Sequence, residues 1–290
     1  MSIGGPSQDL MLGADKSGSG LQHAEKSNAA IIAFLVFAFA WSWGLGFAAS
    51  QIKPQSIPVS TAVLMVYGFG PSIAAFVIVG AFSGSLGLRR WLAHCLNRNV
   101  GWRWFALAFL TPPLVMIVAL VVHILLGGAI PAPIAAAHIP LAIANFGLVL
   151  LVGGPLGEEF GWRGYAMSAL LAQTTWRVAS LLVGLVWGLW HLPLFFMGGT
   201  AQSQMPIFVF MLNISAGSVL FGWLFERTKG SVLPAILLHT SLNAWAGLLV
   251  IVPSAATGRP YDIVTGLLVI IAAALLLIPD RAGAKDLRQC

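Results

Sequence analysis

The chain has 290 residues, of which 58% are hydrophobic and only 8% are charged, and its formal net charge is +6. A soluble domain carries about 25% charged residues, so this composition excludes an ordinary soluble protein and predicts an all-α polytopic membrane protein. Excess Lys and Arg in such a chain orient its spans, so we expect no nucleic-acid partner. The two cysteines, Cys95 and Cys290, are too few for a disulfide framework or a cysteine metal site.

The sequence divides into a polar tail, a membrane domain and a second short tail. Residues 1–28 predict a disordered cytoplasmic tail, residues 29–280 a single transmembrane helical domain, and residues 281–290 a short cytoplasmic tail. Spanning a bilayer takes about 17–25 apolar residues, and eight segments of the domain qualify. They lie near Ala29–Ala49, Thr61–Phe82, Trp104–Leu126, Ile139–Leu156, Val178–Met197, Met205–Phe225, Val232–Val252 and Tyr261–Ile278.

Lys and Arg residues segregate between the two sides of this eight-span topology. One side collects 13 of them, whereas the other collects only Lys53 and Arg259. Because positively charged loops stay in the cytoplasm, we expect both termini to be cytoplasmic. The expected location is a bacterial cytoplasmic membrane, in which the protein is an integral component.

Three charged residues, Glu158, Glu159 and Arg163, interrupt an otherwise apolar sequence. A charge at the bilayer centre costs about 2.5–3.5 kcal/mol on insertion scales, so intramembrane charges are rare and usually functional. On a helix Glu159 and Arg163 share a face and can pair, whereas Glu158 is rotated by about 100°. The sequence therefore predicts one neutralised carboxylate and one free carboxylate. The alternative is a cytoplasmic loop with ordinary surface charges.

Further polar groups lie in the fifth and seventh spans. His191 precedes Pro193, which frees a backbone carbonyl and can kink the helix, as is typical where a membrane helix lines a cavity. His239 and Asn243 are four residues apart and share a helix face. For each group, a helix–helix hydrogen bond is the alternative. Together with Glu158, they supply a base, two imidazoles and an amide donor, which water-dependent amide hydrolysis needs.

Simpler roles fit the other polar residues of interest. Four histidines are interpreted as surface residues in polar segments or as interfacial and packing residues in the spans. They are His23, His94, His123 and His138. Asn213 and Ser215, in the sixth span, fit helix–helix hydrogen bonds.

The order of three motifs on successive hydrophobic helices resembles the CPBP intramembrane proteases. These motifs are Glu-Glu-x-x-x-Arg from Glu158, aromatic-x-x-x-His from Trp187, and His-x-x-x-Asn from His239. The family includes the type II CAAX prenyl endopeptidases and bacteriocin-immunity-like proteins, and the resemblance covers a protease-like core at about residues 139–252. One difference is Trp187, where the family commonly has Phe.

The resemblance implies an eight-helical endopeptidase that hydrolyses peptide bonds in a membrane-embedded cavity. Glu158 would be the general base that activates a water, and His191 would help to hold that water. His239 and Asn243 would form the oxyanion hole. The expected partners are membrane lipid and a peptide or protein substrate, whose identity the sequence does not name.

The same resemblance gives Glu159 and Arg163 a supporting role and leaves the metal question open. An older view of the family makes the glutamate and histidines metal ligands, and Glu158, His191 and His239 would suit zinc with an open site. No His-Glu-x-x-His helix is present to strengthen that view. We expect a metal-independent mechanism without a cofactor, with zinc as the alternative.

Two other functions use the same polar cluster. Intramembrane Glu and His residues also serve as proton relays, which makes a proton-coupled transporter one alternative. No internal inverted repeat of the kind that many transporters contain is visible. The other alternative is a family member that keeps the motifs but acts as a membrane immunity or binding protein.

The depth of the site is not fixed by hydropathy. If the fourth span ended at Leu156, Glu158 would lie near the cytoplasmic edge and His191 roughly 20 Å deeper, at 1.5 Å per residue. Both can hold one water only if the fourth helix continues past Leu156 or the fifth begins before Val178. The Gly-Gly-Pro sequence just before Leu156 would allow a bend.

Overall fold

A computed structural model of the chain describes residues 28–48, 57–129, 139–152, 154–249, 251 and 258–279. In these ranges the chain is built from helices and their connections and contains no strand. The all-α membrane fold predicted from the composition is therefore confirmed. The two predicted tails lie outside the described residues, apart from Asn28, and so does His138.

The described helices range in length from four to 26 residues. In chain order they are α1 (Asn28–Ala48), α2 (Ile57–Gly68), α3 (Gly70–Cys95), α4 (Trp102–Leu125), α5 (Ile139–Val152), α6 (Pro155–Glu159), a π-helical segment (Phe160–Met167), α7 (Ser168–Leu171), α8 (Trp176–Trp190), α9 (Ile207–Arg227), α10 (Leu233–Leu248) and α11 (Arg259–Leu277).

Seven segments within the described residues are long and apolar enough to cross a membrane. The eighth predicted span, Val232–Val252, corresponds to α10, which has 16 residues and is short for a crossing. It packs against α4, α5, α6 and α9, and Leu238 and Thr240 on it are fully buried. Because neighbouring helices cover much of α10, its polar residues lie inside the bundle.

The second predicted span, Thr61–Phe82, has different bounds in the structure. α2 and α3 meet at Phe69 within it, and Pro71, in the first turn, begins α3 without needing a backbone donor. α3 then reaches Cys95 across a break at Gly84, where φ is +66° and the backbone is not helical. The predicted end of the span at Phe82 lies two residues before this break, so hydropathy located the end of the first helical part of α3.

The carboxylate motif lies on the bent segment Ile143–Leu171. Between α5 and α6 the chain passes through Gly154, whose φ of +107° is a conformation that favours glycine. The helix then continues through the π-helical segment, a feature often found at functional sites. It therefore extends past Leu156, and Glu158 lies 13 residues, or about 20 Å, before the end of α7.

Two glycines allow this segment to pack closely against the junction of α2 and α3. A Cβ at Gly157 would lie 2.4 Å from the carbonyl oxygen of Gly68. A Cβ at Gly161 would lie 2.5 Å from the backbone of Pro71. Contact between backbones therefore fixes the position of both carboxylates that lie between these glycines.

Candidate active site

A cavity of about 630 Å³ lies inside the bundle, with α2, α5, α8, α9, α10 and α11 contributing to its walls. Glu158, His191, His239 and Asn243 all line it, so the structure brings the four predicted residues around one space. The rest of the lining is mainly aliphatic and aromatic, as in ligand pockets, which typically have about 300–1,000 Å³. The long fourth helix removes the depth mismatch expected for Glu158 and His191.

Glu158 is 5% exposed and lies at the cavity wall. The indole Nε1 of Trp187 donates a hydrogen bond to its Oε2 at 2.6 Å. A Cβ at Gly154 would lie 2.6 Å from Oε1 of Glu158 and 3.7 Å from Nε2 of His239. The carboxylate and the imidazole therefore flank the same point, which is left open because residue 154 has no side chain.

Glu159 is fully buried and belongs to a separate cluster. Its Oε1 accepts hydrogen bonds from Nη1 of Arg163 at 2.9 Å and from Nδ1 of His239 at 2.7 Å. The guanidinium of Arg163 also lies over the rings of Trp187 and Phe221, at 4.2 and 3.9 Å from their centroids. The predicted pair is thus present and is reinforced by cation–π contacts.

His239 connects the Glu159 cluster to the cavity. An ionised carboxylate only accepts hydrogen bonds, so Nδ1 of His239 is the donor to Glu159, and Nε2 lies on the side of Gly154. The sequence placed His239 at the site but did not reveal this bond. The two residues are 80 positions apart, and no local spacing links them.

His191 lies where α8 gives way to a 3₁₀ turn, Leu192–Phe196. The helix break expected from Pro193 is therefore present. Nδ1 of His191 lies 2.7 Å from the carbonyl oxygen of Trp187. Since a carbonyl only accepts, Nδ1 carries the proton, and Nε2 of the neutral ring is left as an acceptor.

The same break leaves the carbonyl of Trp190 available to side chains from the first two helices. It accepts hydrogen bonds from the hydroxyl of Tyr67 at 2.6 Å and from Nε1 of Trp43 at 3.0 Å. Tyr67 is buried and lines the cavity. Sequence reasoning missed both residues and identified Trp187 only as the aromatic residue of a motif, because motif spacing reports nothing about partners on distant helices.

The remaining predicted polar residues have simpler surroundings. Asn243 lies one turn after His239 on α10, on the cavity wall. Nδ2 of Asn213 donates to Oγ1 of Thr265 at 2.9 Å, which is the predicted kind of hydrogen bond between spans. His123 is buried near the end of α4, consistent with its interpretation as a packing residue.

The described part of the chain has no arrangement of side chains that matches the zinc site considered as the alternative. No group of three His, Cys, Asp or Glu side chains there is placed to hold a metal ion. Oε2 of Glu158 is held by Trp187, and His191 and His239 each direct Nδ1 at a protein acceptor, which leaves Oε1 and the two Nε2 atoms as possible ligand atoms. Zinc-bound histidines make the same Nδ1 contacts, so only the placement of the three side chains disfavours a zinc centre.

Comparisons with known proteins match the part of the chain that carries the four polar residues of the cavity. Residues 140–245 match a family described as Type II CAAX prenyl endopeptidase Rce1-like. A CAAX prenyl protease 2 from Methanococcus maripaludis is 34% identical over 136 residues, which cover 45% of this chain and 48% of that protein. The chain thus matches about half the length of this curated relative.

The fold and the cavity define a polytopic integral membrane protein with a buried site of one glutamate, two histidines and one asparagine. Residues 140–245, which contain all four, match the family model of the type II CAAX prenyl endopeptidases, a group within the CPBP family. The resemblance predicted from the three motifs is therefore confirmed for this region.

Proposed function

We propose that the protein is an intramembrane endopeptidase in which Glu158 activates a water for attack on a peptide carbonyl. The observation that carries the proposal is the single cavity shared by Glu158, His191, His239 and Asn243. The family match of residues 140–245 and the printed name of the relative, a protease, favour the same class of reaction. The substrate is a peptide or protein segment that reaches the cavity within the membrane.

Glu158 is the general base of this proposal. The hydrogen bond from Trp187 holds Oε2, so Oε1 is the oxygen that takes a proton from the attacking water. Nε2 of His191 accepts the second hydrogen of that water and orients it toward the carbonyl. When the tetrahedral intermediate breaks down, Glu158 returns its proton to the departing amine.

Asn243 and His239 stabilise the oxyanion that forms in this step. The side-chain amide of Asn243 supplies an N–H whatever the protonation state of its neighbours. His239 already donates Nδ1–H to Glu159, so its Nε2 becomes a donor only when the ring carries both protons. Asn243 is therefore the donor on which oxyanion stabilisation depends most directly.

A proton-coupled transporter is the second candidate. The contact between Glu159 and His239 continues toward Glu158 across the space at Gly154, which is the arrangement of a proton relay. In that case the cavity binds a solute, and no bond is broken.

A peptidase assay on a peptide library in detergent separates the two candidates. We expect the parent to cleave members of the library and Glu158→Gln to lose about 10²–10⁴-fold of this turnover. Glu226→Gln is the matched control, because Glu226 pairs with Arg227 on α9 outside the cavity. A parent without peptidase activity that accumulates an ion in liposomes would instead support the transporter.

Metal dependence is tested on the same preparation. The proposal requires no metal, so strong chelators should leave the turnover of the parent unchanged. Elemental analysis of the active protein is the direct check. One equivalent of zinc, with activity lost on its removal and restored on its return, would overturn this mechanism in favour of zinc-activated water.

A further inference from the structure

The ends of the helices form two faces that differ in charge. On one face Nε of Arg177, at the start of α8, donates to the carbonyl of Leu276 at 2.9 Å, which joins α8 to the end of α11. The backbone N–H of Val232 donates to the carbonyl of Cys95 at 2.9 Å, which joins the start of α10 to the end of α3. We call this the basic face because most exposed or half-exposed Lys and Arg among the described residues lie there. They are Arg89, Arg90, Arg98, Arg103, Arg177, Arg227 and Lys229.

The opposite face carries much less positive charge. Nη1 of Arg259 donates to the carbonyl of Leu126 at 3.4 Å, which joins the start of α11 to the end of α4. Of the Lys and Arg residues that the structure describes, Arg259 alone lies on this face. Since basic loops stay in the cytoplasm, this distribution supports an extracytoplasmic location for the face of Arg259.

The cavity occupies the half of the bundle away from the basic face. On α8, α9 and α10, the lining residues nearest to that face are Trp187, Phe221 and His239. They lie 11, 6 and 6 residues from the basic ends of their helices. At 1.5 Å per residue and 3.6 residues per turn these separations are about 9–17 Å, or about two to three helical turns between the site and the basic face.

A layer of close-packed side chains fills those turns. Each of its central members is at most 2% exposed, and none of them lines the cavity. They are Arg163, Met167, Leu224, Phe225 and Ala235. This layer closes the site toward the basic face.

On the opposite side the cavity reaches the surface that the described residues form. Residues 197–206, between α8 and α9, contribute Gly199, Ala201, Gln202 and Met205 to its wall. Gly199 and Ala201 are exposed. A peptide that approaches from this side meets the mouth of the cavity, whereas one that approaches from the basic face meets the packed layer.

We propose that the site is open to the extracytoplasmic side and takes an uncharged, mostly apolar peptide segment presented there. The mainly apolar wall selects such a segment, because an unpaired charge is costly to bury in it. The inference rests on the proposed peptidase function and on the orientation expected from the Lys and Arg distribution. It makes the substrate a translocated peptide or an extracytoplasmic part of a membrane protein, not a cytoplasmic peptide tail.

Thiol labelling of single-cysteine variants tests the side of access. Gly217→Cys places a thiol in the cavity wall, where a Cβ meets no atom within 4 Å. Ala201→Cys marks the mouth, and Gln173→Cys marks an exposed site at the basic face. All three carry Cys290→Ser, and the fully buried Cys95 serves as an unreactive reference. A charged, membrane-impermeant methanethiosulfonate is applied to right-side-out and to inverted membrane vesicles.

We expect Ala201→Cys and Gly217→Cys to react at least about tenfold faster in right-side-out vesicles, and Gln173→Cys to react faster in inverted ones. Faster reaction of Gly217→Cys in inverted vesicles would overturn the proposal, as would a Gly217→Cys thiol that is unreactive from both sides. A reversed order of Ala201→Cys and Gln173→Cys would overturn the orientation and with it the proposal.

The labelling result does not depend on turnover. A protein with the expected labelling pattern but no difference in turnover between the parent and Glu158→Gln would refute the peptidase and leave the side of access intact. A peptidase with the opposite labelling pattern would refute only the side of access.

Discussion

Glu158 and Glu159 are adjacent in the chain, but they lie in two regions with different properties. Glu159 is sealed in a cluster with Arg163 and His239, where a single oxygen accepts both hydrogen bonds. Glu158 faces the cavity and receives one hydrogen bond, from Trp187. Because consecutive helical residues point about 100° apart, one motif supplies one carboxylate to the cluster and the other to the cavity. A buried carboxylate that is paired with a buried cation supports the fold, and one beside an open space is available for chemistry.

The largest effect on stability is expected at the sealed cluster. Arg163→Ala strands the Glu159 carboxylate among fully buried groups, which costs about 3–5 kcal/mol when a buried pair is broken. Folded yield and melting temperature in detergent should both fall. Arg227→Ala is the control, because its pair with Glu226 is partly exposed and such pairs contribute about 0–1 kcal/mol. Parent-like yield and melting temperature for Arg163→Ala would refute the structural role of the cluster.

A comparably large effect, mainly on turnover, is expected at the cavity wall. Asn243→Ala removes the proposed oxyanion donor, and such losses typically cost about 10²–10³-fold in turnover. The melting temperature should fall less than that of Arg163→Ala, since Asn243 lies at the cavity wall and its removal strands no buried charge. Kinetics on a cleaved library peptide provide the measurement. A variant whose turnover stays within threefold of the parent would remove Asn243 from the mechanism.

The space between the two regions should not tolerate a side chain. Gly154→Ala forces φ of +107° on a residue with a Cβ and brings that atom within 2.6 Å of Oε1 of Glu158. Displacing a catalytic group by about 1 Å can cost 10²-fold, so we expect a loss of turnover of about that size. Gly147→Ala, on α5, is the control, since a Cβ there meets nothing within 4 Å. Equal turnover of the two variants would contradict the proposed position of the base.

The smallest effect is expected for the hydrogen bond that distinguishes Glu158 from Glu159. Trp187→Phe keeps a ring under Arg163 but removes the N–H that holds Oε2 of Glu158. Hydrogen bonds to charged groups contribute about 1.5–3 kcal/mol, so kcat should fall by about tenfold or more while KM stays unchanged. Trp223→Phe is the matched control, because its Nε1 has no hydrogen-bond partner among the described residues. A change in KM or melting temperature without a change in kcat would indicate a packing role for Trp187.

Local spacing was sufficient to predict much of this site. The separation of four residues between Glu159 and Arg163 predicted their pair, and the rotation of Glu158 predicted a carboxylate without that partner. Hydropathy located the spans because lipid requires long apolar helices. It did not show that neighbouring helices cover much of α10, or that two helices meet at Phe69 within one apolar run.

The sequence did not predict the contacts between distant helices. The bond between His239 and Glu159, and that between Trp187 and Glu158, join residues 80 and 29 positions apart. Tyr67 approaches the site from α2 with no motif around it. Such partners depend on how whole helices pack, and a single sequence carries no periodic signal for that packing.

Glu158→Gln and Glu159→Gln, purified in parallel, show whether the two carboxylates have different roles. For each, melting temperature and peptide turnover are measured in the same detergent. Glu158→Gln should melt at or above the temperature of the parent, because its amide oxygen still accepts from Trp187 and a buried charge is gone, while turnover is lost. Glu159→Gln should melt well below the parent, because Arg163 is left with an uncompensated charge. Equal destabilisation of both variants, or turnover retained by Glu158→Gln, would contradict the account.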